Sequence, residues 1–129
     1  MHADERRENL NKITETIIGC AYEVISVLGS GFLEKVYENA LVHQIRKYGL
    51  MVLQQHSIRV IYDGIEVGDY VADLLVENQV LVELKAVKAI DNIHQAQCMN
   101  YLKATGQTIC LLVNFGSPKL EIKRIVNNF

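Results

Sequence analysis

Residues 73–85 place charged side chains inside what is otherwise a buried pair of strands. The segment is Asp73-Leu-Leu-Val-Glu-Asn-Gln-Val-Leu-Val-Glu83-Leu-Lys85, with apolar runs on both sides of a short polar turn. Removing a carboxylate or an ammonium from water is costly unless the group is paired, protonated or bound to a metal. Glu83 and Lys85 are two residues apart, so they project from the same face of a strand. With residues 77–79 as the loop, Asp73 lies opposite Glu83, and two acids and one cation surround a single point.

The register of this hairpin decides the prediction. A slip of one residue would send Asp73 to the opposite face of the sheet, unless a bulge restored it. A convergent set suits a divalent metal held against a phosphate, because carboxylate oxygens are hard ligands and a lysine can orient the attacking water. The alternative is a buried acid–lysine pair that only neutralises itself.

Hydrophobic spacing predicts eight elements in the order α-α-β-β-β-α-β-β. Apolar residues three and four apart predict helices at 9–28, 33–48 and 92–105, with Val27, Leu33 and Val36 on their buried faces. Apolar runs between turn residues predict strands at 52–62, 67–76, 80–87, 108–115 and 120–126. Because the third helix lies between the third and fourth strands, those two are expected to be parallel in a mixed sheet. The expected fold class is α/β (α+β), as one domain over 1–129 with a frayed N-terminus at 1–8.

Composition limits the functional classes. The chain is 50% hydrophobic and 22% charged, which is typical of a globular protein. It contains no apolar run of the roughly 18–20 residues that cross a bilayer, and its polar first residues do not form a secretory signal. Three cysteines without metal-binding spacing are expected to be reduced core residues, so a cytoplasmic protein without membrane contact is the default expectation. The net charge of −2 lacks the lysine and arginine excess of strong non-specific DNA binders.

The second and third predicted helices carry further polar groups. His94, Gln97 and Tyr101 share one stripe of the third helix, and Gln95 is offset from it. Such groups can contact phosphate oxygens or support metal ligands, or the stripe can be a half-exposed face with Tyr101 packed inward. On the second helix, Glu34 is either a further metal-site carboxylate or an acid that favours the positive end of the helix dipole.

Several motifs resemble those of one protein family. Gly31-x-x-Glu34-x-x-Tyr37 resembles the signature of the GxxExxY proteins, which are assigned to the PD-(D/E)xK nuclease superfamily. The similarity continues through Tyr70-Val-Ala-Asp73, Val82-Glu83-Leu-Lys85, His94-Gln-Ala-Gln97-Cys-Met-Asn-Tyr101 and Leu111-Leu-Val-Asn-Phe-Gly. Ala72 stands where the motif name has proline, a position that carries no ligand.

The resemblance implies a restriction-endonuclease-like core, an α-β-β-β-α-β unit, and a set of site residues. Asp73, Glu83 and Lys85 match the catalytic positions, and Mg²⁺ (or Mn²⁺) would be bound by Asp73 and Glu83 with Glu34. Gln97 and Tyr101 resemble the Q-x-x-x-Y element of some members. The remaining candidates for substrate contacts or ligand support are His94, Gln95 and Tyr37.

Two functions of different classes follow from these observations. The first is an Mg²⁺-dependent nuclease that hydrolyses DNA phosphodiester bonds, with a homodimer or a partner chain adding substrate contacts. The second is a non-catalytic module that binds nucleic acid or protein on a nuclease fold, because a fold alone does not establish turnover. A metal-dependent hydrolase of another phosphate ester is a third option.

Overall fold

The computed structural model describes residues 3–127, and the predicted element order is confirmed. The elements are α1 (Ala3–Leu28), α2 (Glu34–Lys47), β1 (Val52–Tyr62), β2 (Ile65–Val76), β3 (Val80–Lys85), α3 (Asn92–Thr105), β4 (Ile109–Asn114) and β5 (Glu121–Val126). Helix α1 begins at Ala3, so residues 3–8, which were predicted to be frayed, are helical. Residues 1, 2, 128 and 129 lie outside the described part of the chain.

The strands form one five-stranded sheet in the order β1-β2-β3-β4-β5. Strands β3 and β4 are parallel, and the other neighbours are antiparallel. The parallel pair needs a crossover connection, which α3 supplies. The predicted mixed sheet is therefore confirmed.

Helices cover both faces of the sheet. Helices α1 and α2 pack on one face, over a core that includes Leu74, Val82 and Leu111. Helix α3 packs on the other face, over Leu75, Leu81 and Leu112. Every position of β4 is buried, as expected for a strand covered on both sides. The three cysteines are free and buried, which confirms that expectation.

Three side chains predicted to be buried are exposed instead. Val27 is 82% exposed in the last turn of α1, and Leu33 is 80% exposed because it precedes α2 as its N-cap residue. Val36 is also exposed, since the buried face of α2 extends toward Glu38 and Val42 on the opposite flank. Apolar spacing identified the helix but not which flank of its stripe meets the sheet. Within residues 3–127, the helices are too short or too polar to cross a bilayer.

Candidate active site

The predicted convergence of Asp73 and Glu83 occurs where β2 and β3 stop pairing. The strands pair through Leu74 with Val82 and onward to the turn, and this register places Asp73 opposite Glu83. Regular pairing ends there. The Asp73 backbone N–H donates to Glu83 Oε1 at 2.9 Å, and the Leu84 backbone N–H donates to Asp73 Oδ2 at 2.8 Å. Each carboxylate is therefore anchored to the opposing strand, in an arrangement that we call the fork (Asp73 and Glu83).

Burial and mutual repulsion disfavour ionisation of the fork. Glu83 is only 4% exposed, and burial, followed by the negative charge of Asp73, raises its pKa to about 8. Burial also raises the pKa of Asp73, the charge of Glu38 adds to that effect, and the Leu84 N–H and Lys85 oppose it. Two buried acids that repel each other favour a shared proton or a bound cation.

Lys85 connects the fork to α3. Lys85 ends β3 and is half-buried, and its Nζ donates to Gln97 Oε1 at 3.4 Å. Gln97 Nε2 in turn donates to the Tyr101 hydroxyl at 3.0 Å. Burial and the charges of Glu83 and Asp73 raise the pKa of Tyr101 to about 12, so its hydroxyl keeps its proton at neutral pH. The structure thus brings together Asp73, Glu83, Lys85, Gln97 and Tyr101.

His94 and Gln95 do not join this group. Helix α3 begins with a capping box, in which the Asp91 side chain accepts from the Ile93 and His94 backbone N–H groups. His94 Nδ1 accepts from the Asp91 backbone N–H at 3.1 Å, which commits that nitrogen to the helix cap. Within residues 3–127 the Gln95 side chain makes no hydrogen bond, and its backbone N–H donates to the Asp91 carbonyl at 3.3 Å. Of the predicted stripe, Gln97 and the buried Tyr101 lie beside Lys85, whereas His94 is engaged in the helix cap.

Glu34 lies near the fork as the first residue of α2. Desolvation and then the charge of Asp73 raise the pKa of Glu34, while Lys85 lowers it. Its side chain is nevertheless exposed, and residues 3–127 contain no group of three or more His, Cys, Asp or Glu side chains placed to hold a metal. Glu34 therefore contributes charge to the site without completing a three-acid ligand cluster.

Tyr37 performs a structural task instead of facing the site. Its hydroxyl donates to the Gly29 carbonyl and accepts from the Phe32 backbone N–H at 3.1 Å. Its ring stacks on Phe115 with centroids 4.7 Å apart. The loop between α1 and α2 includes Gly31 at φ 112°, a conformation that glycine adopts without penalty. Tyr37 therefore fixes the loop that leads into α2.

Comparison with known proteins identifies the family of the chain. A family model described as the PD-(D/E)XK nuclease superfamily matches residues 11–125. The chain belongs to this superfamily. No curated protein matches the sequence.

Two solved structures share the superfamily fold. One, SSO0001, aligns with a TM-score of 0.57 at 15% identity, over 97% of this chain and 63% of that one. The other, the alkaline exonuclease LHK-Exo from Laribacter hongkongensis, aligns with a TM-score of 0.55 at 16% identity, over 92% of this chain and 69% of that one. The chain thus spans less than two-thirds of the length of SSO0001, and at these identities the likeness shows the fold alone. The predicted restriction-endonuclease-like fold class is confirmed.

Glu38 is a buried acid beside the candidate site that the sequence analysis missed. The side chain is 2% exposed and accepts hydrogen bonds from Lys35 Nζ at 2.9 Å, Gln54 Nε2 at 2.8 Å and Gln55 Nε2 at 3.0 Å. Its charge also raises the pKa of Asp73. One signal was present in the sequence, because Glu38 follows Glu34 by four residues and so shares its helix face.

Gln55 was missed for a different reason. It has a left-handed φ of 56° and lies opposite Asp73, where the pairing of β1 with β2 is interrupted between His56 and Gln54. A hydrogen bond from its side chain lowers the pKa of Asp73. Glutamine rarely adopts this backbone conformation, so the sequence carries no signal for it.

Asn114 and Gly116 hold the chain that follows Lys85. Asn114, fully buried at the end of β4, pairs with Lys85 across the parallel strands. Its Oδ1 accepts from the Val87 N–H at 3.0 Å and from the Gly116 N–H at 2.9 Å, and its Nδ2 donates to the Val87 carbonyl at 2.9 Å. A Cβ on Gly116 would lie 2.2 Å from the Val87 nitrogen. The Leu-Leu-Val-Asn-Phe-Gly motif therefore positions the end of β3.

The fork suits a divalent cation through the chemistry of its donors. Asp73 and Glu83 supply hard carboxylate oxygens, and burial, which raises the pKa of both, makes their ionised forms unfavourable unless a cation is bound. Mg²⁺ is usually bound through one or two carboxylates, with waters and substrate phosphates completing its coordination. Two acids are therefore sufficient protein ligands.

Proposed function

We propose that this superfamily member is a nuclease that hydrolyses DNA phosphodiester bonds with Mg²⁺ or Mn²⁺ as cofactor. The supporting observation is the fork, in which Asp73 and Glu83 are anchored by backbone amides beside Lys85. Superfamily membership supports the reaction type. The description of LHK-Exo as an alkaline exonuclease supports a nucleic-acid substrate.

The residues of the site divide the chemistry among them. A bound divalent cation supplies Lewis-acid polarisation of the phosphate and a more acidic water. Asp73 and Glu83 hold the cation, and Lys85 orients the attacking water and balances charge that develops on the phosphate. Gln97 fixes the Lys85 ammonium, and Tyr101 fixes Gln97. Glu34 adds negative charge beside the pair of metal ligands.

Two finer assignments belong to the same proposal. Within the superfamily, the chain groups with the GxxExxY proteins on its Gly31-x-x-Glu34-x-x-Tyr37 motif, in which Gly31 takes a positive φ and Tyr37 fixes the loop before α2. A second copy of the chain, or a partner chain, adds substrate contacts, since a net charge of −2 leaves little positive surface for the DNA backbone.

The decisive experiment compares Lys85→Ala with Lys12→Ala, which removes an exposed lysine from α1. Labelled single- and double-stranded DNA is incubated with each protein in Mg²⁺, Mn²⁺ or chelator. Cleavage by the wild type and Lys12→Ala should require metal, and Lys85→Ala should be slower by about 10²-fold or more, the loss typical of removing one group that stabilises developing charge.

Equal cleavage by both variants would contradict the proposal, because the activity would then not come from this site. Metal binding without cleavage by any of the proteins would favour the non-catalytic binding module.

A further inference from the structure

A groove runs along α3 from the candidate active site toward the hairpin of β1 and β2. It encloses about 680 Å³, and its walls come from α3 and from the arms of that hairpin. Gln97 and Tyr101, which support Lys85, also line this groove. Building on the proposed function, we propose that the groove holds unpaired nucleotides of single-stranded DNA and leads the strand to the fork.

The lining of the groove matches the chemistry of an unpaired base. Tyr70 projects from the hairpin and is 50% exposed, and its ring lies 5.7 Å from that of Tyr101 at an angle of 47°. A half-exposed ring offers a face on which a base can stack. Val60 and Ile93 extend the apolar wall beside it. Base stacking on aromatic side chains stabilises single-strand binding and tolerates any base sequence.

Polar groups at the groove suit a sugar–phosphate backbone. Lys103 and Asn100 line it from α3, and both are exposed. Lys103 supplies the positive charge that a phosphate requires, and Asn100 supplies amide donors. The groove thus has an apolar wall and a cationic edge, which complement the apolar base and the anionic phosphate of a nucleotide.

The dimensions of the groove favour a single strand over a duplex. Its volume is that of an ordinary small-molecule pocket, which accommodates one or two nucleotides but not a double helix. In a duplex, moreover, the faces of the bases are already stacked on each other and cannot meet Tyr70. With one lysine lining the groove, stacking has to supply more of the affinity than phosphate contacts do, so salt should weaken the binding only slightly.

Fluorescence anisotropy in chelator tests the groove independently of catalysis. A labelled single-stranded oligonucleotide and the blunt duplex of the same sequence are titrated with wild type, Tyr70→Ala, Tyr70→Phe, Lys103→Gln and Tyr22→Ala. Tyr22, on α1, matches Tyr70 in exposure at 50% but does not line the groove.

We expect the wild type to bind the single strand at least tenfold more tightly than the duplex. Tyr70→Ala should weaken single-strand binding by roughly 5- to 100-fold, and Lys103→Gln should weaken it to a smaller extent. Tyr70→Phe, which keeps the ring, and Tyr22→Ala should bind like the wild type. Thermal unfolding of each variant confirms that it is folded.

Each contrary result has a distinct meaning. Binding of the duplex as tightly as the single strand, or unchanged binding by both Tyr70→Ala and Lys103→Gln, would overturn the groove assignment even if the protein cleaves DNA. Single-strand preference lost in Tyr70→Ala, without metal-dependent cleavage by the wild type, would support the groove and overturn the proposed nuclease activity.

Discussion

Glu83 and Glu38 are buried carboxyl groups near Asp73 that differ in their hydrogen-bond donors. Glu38 accepts hydrogen bonds from Lys35, Gln54 and Gln55, so its charge is compensated locally. Glu83 has one backbone partner, the Asp73 N–H, and its pKa is raised to about 8. Of these two acids, the one proposed as a metal ligand is therefore the one whose ionisation the protein alone disfavours, mainly through burial.

Glu83 makes the stability of the metal-free protein depend on pH. Its pKa is raised from 4.5 to about 8 on folding, so between these values the folded state binds a proton that the unfolded chain has lost. The free energy of unfolding should accordingly be highest near pH 4.5 and fall by up to about 1.4 kcal/mol per pH unit until about pH 8. Urea denaturation in chelator from pH 4.5 to 8.5 measures the slope.

Glu83→Gln should remove most of this slope, because an amide has no proton to lose in that range. Glu15→Gln, at an exposed acid of α1, should retain the slope of the wild type. Identical slopes for wild type and Glu83→Gln would show that Glu83 is not the group responsible.

At the level of elements, short connections rather than the helices and strands themselves position the site. Tyr37 fixes the loop between α1 and α2 through Gly29 and Phe32. Asn114 fixes the segment that follows β3 by its bonds to both backbone groups of Val87. These connections set where Glu34 and Lys85 lie relative to the fork.

Gly116, between β4 and β5, packs against the backbone that follows β3, so adding one methyl group there should lower stability markedly. In Gly116→Ala, the added Cβ would lie 2.2 Å from the Val87 nitrogen. The nearest atoms all belong to the backbone of Ala86 and Val87, which cannot rotate away as a side chain can. We expect a loss of about 1–3 kcal/mol, typical of overpacking, together with reduced cleavage as the end of β3 shifts. Urea unfolding and the DNA cleavage assay measure the two effects.

Gly19→Ala is the matched control for this substitution. Gly19 is exposed within α1, and a Cβ there meets nothing within 4 Å. Because alanine favours a helix over glycine, stability should rise by roughly 0.5–1 kcal/mol. If the two variants were equally stable, the close packing at Gly116 would not be a constraint on the fold.

For the molecule as a whole, a ligand that binds only the folded state adds its binding free energy to stability. If Asp73 and Glu83 bind Mn²⁺, the ion at 100 times its dissociation constant should stabilise the fold by about 2.7 kcal/mol. The melting temperature at pH 8 should therefore rise with Mn²⁺ concentration. Calorimetric titration of Mn²⁺ gives the dissociation constant independently.

Asp73→Asn should lose most of this metal-dependent rise in melting temperature. Asp63→Asn should keep it, because Asp63 lies at the hairpin tip with a left-handed φ of 53°, which asparagine also tolerates. A rise of equal size in both variants would mean that the ion binds elsewhere.

The sequence by itself determined the features that depend on local spacing. Strand alternation places Glu83 and Lys85 on one face, and a tight turn with left-handed Glu77 and Asn78 sets the register that puts Asp73 opposite Glu83. These relations involve residues close in the chain, so periodicity and turn chemistry suffice to predict them. The order of helices and strands followed in the same way.

Only the tertiary structure decided how distant elements share the polar groups around the fork. Glu38 is buried because β1 lies over that flank of α2 and supplies Gln54 and Gln55 as partners. The imidazole of His94 accepts a hydrogen bond in the cap of α3, and the hydroxyl of Tyr37 donates one to the loop between α1 and α2. Glu38 finds its partners on another element, whereas His94 and Tyr37 bond residues nearby in the chain instead of the site, and spacing along one element does not show which partner a polar group will take.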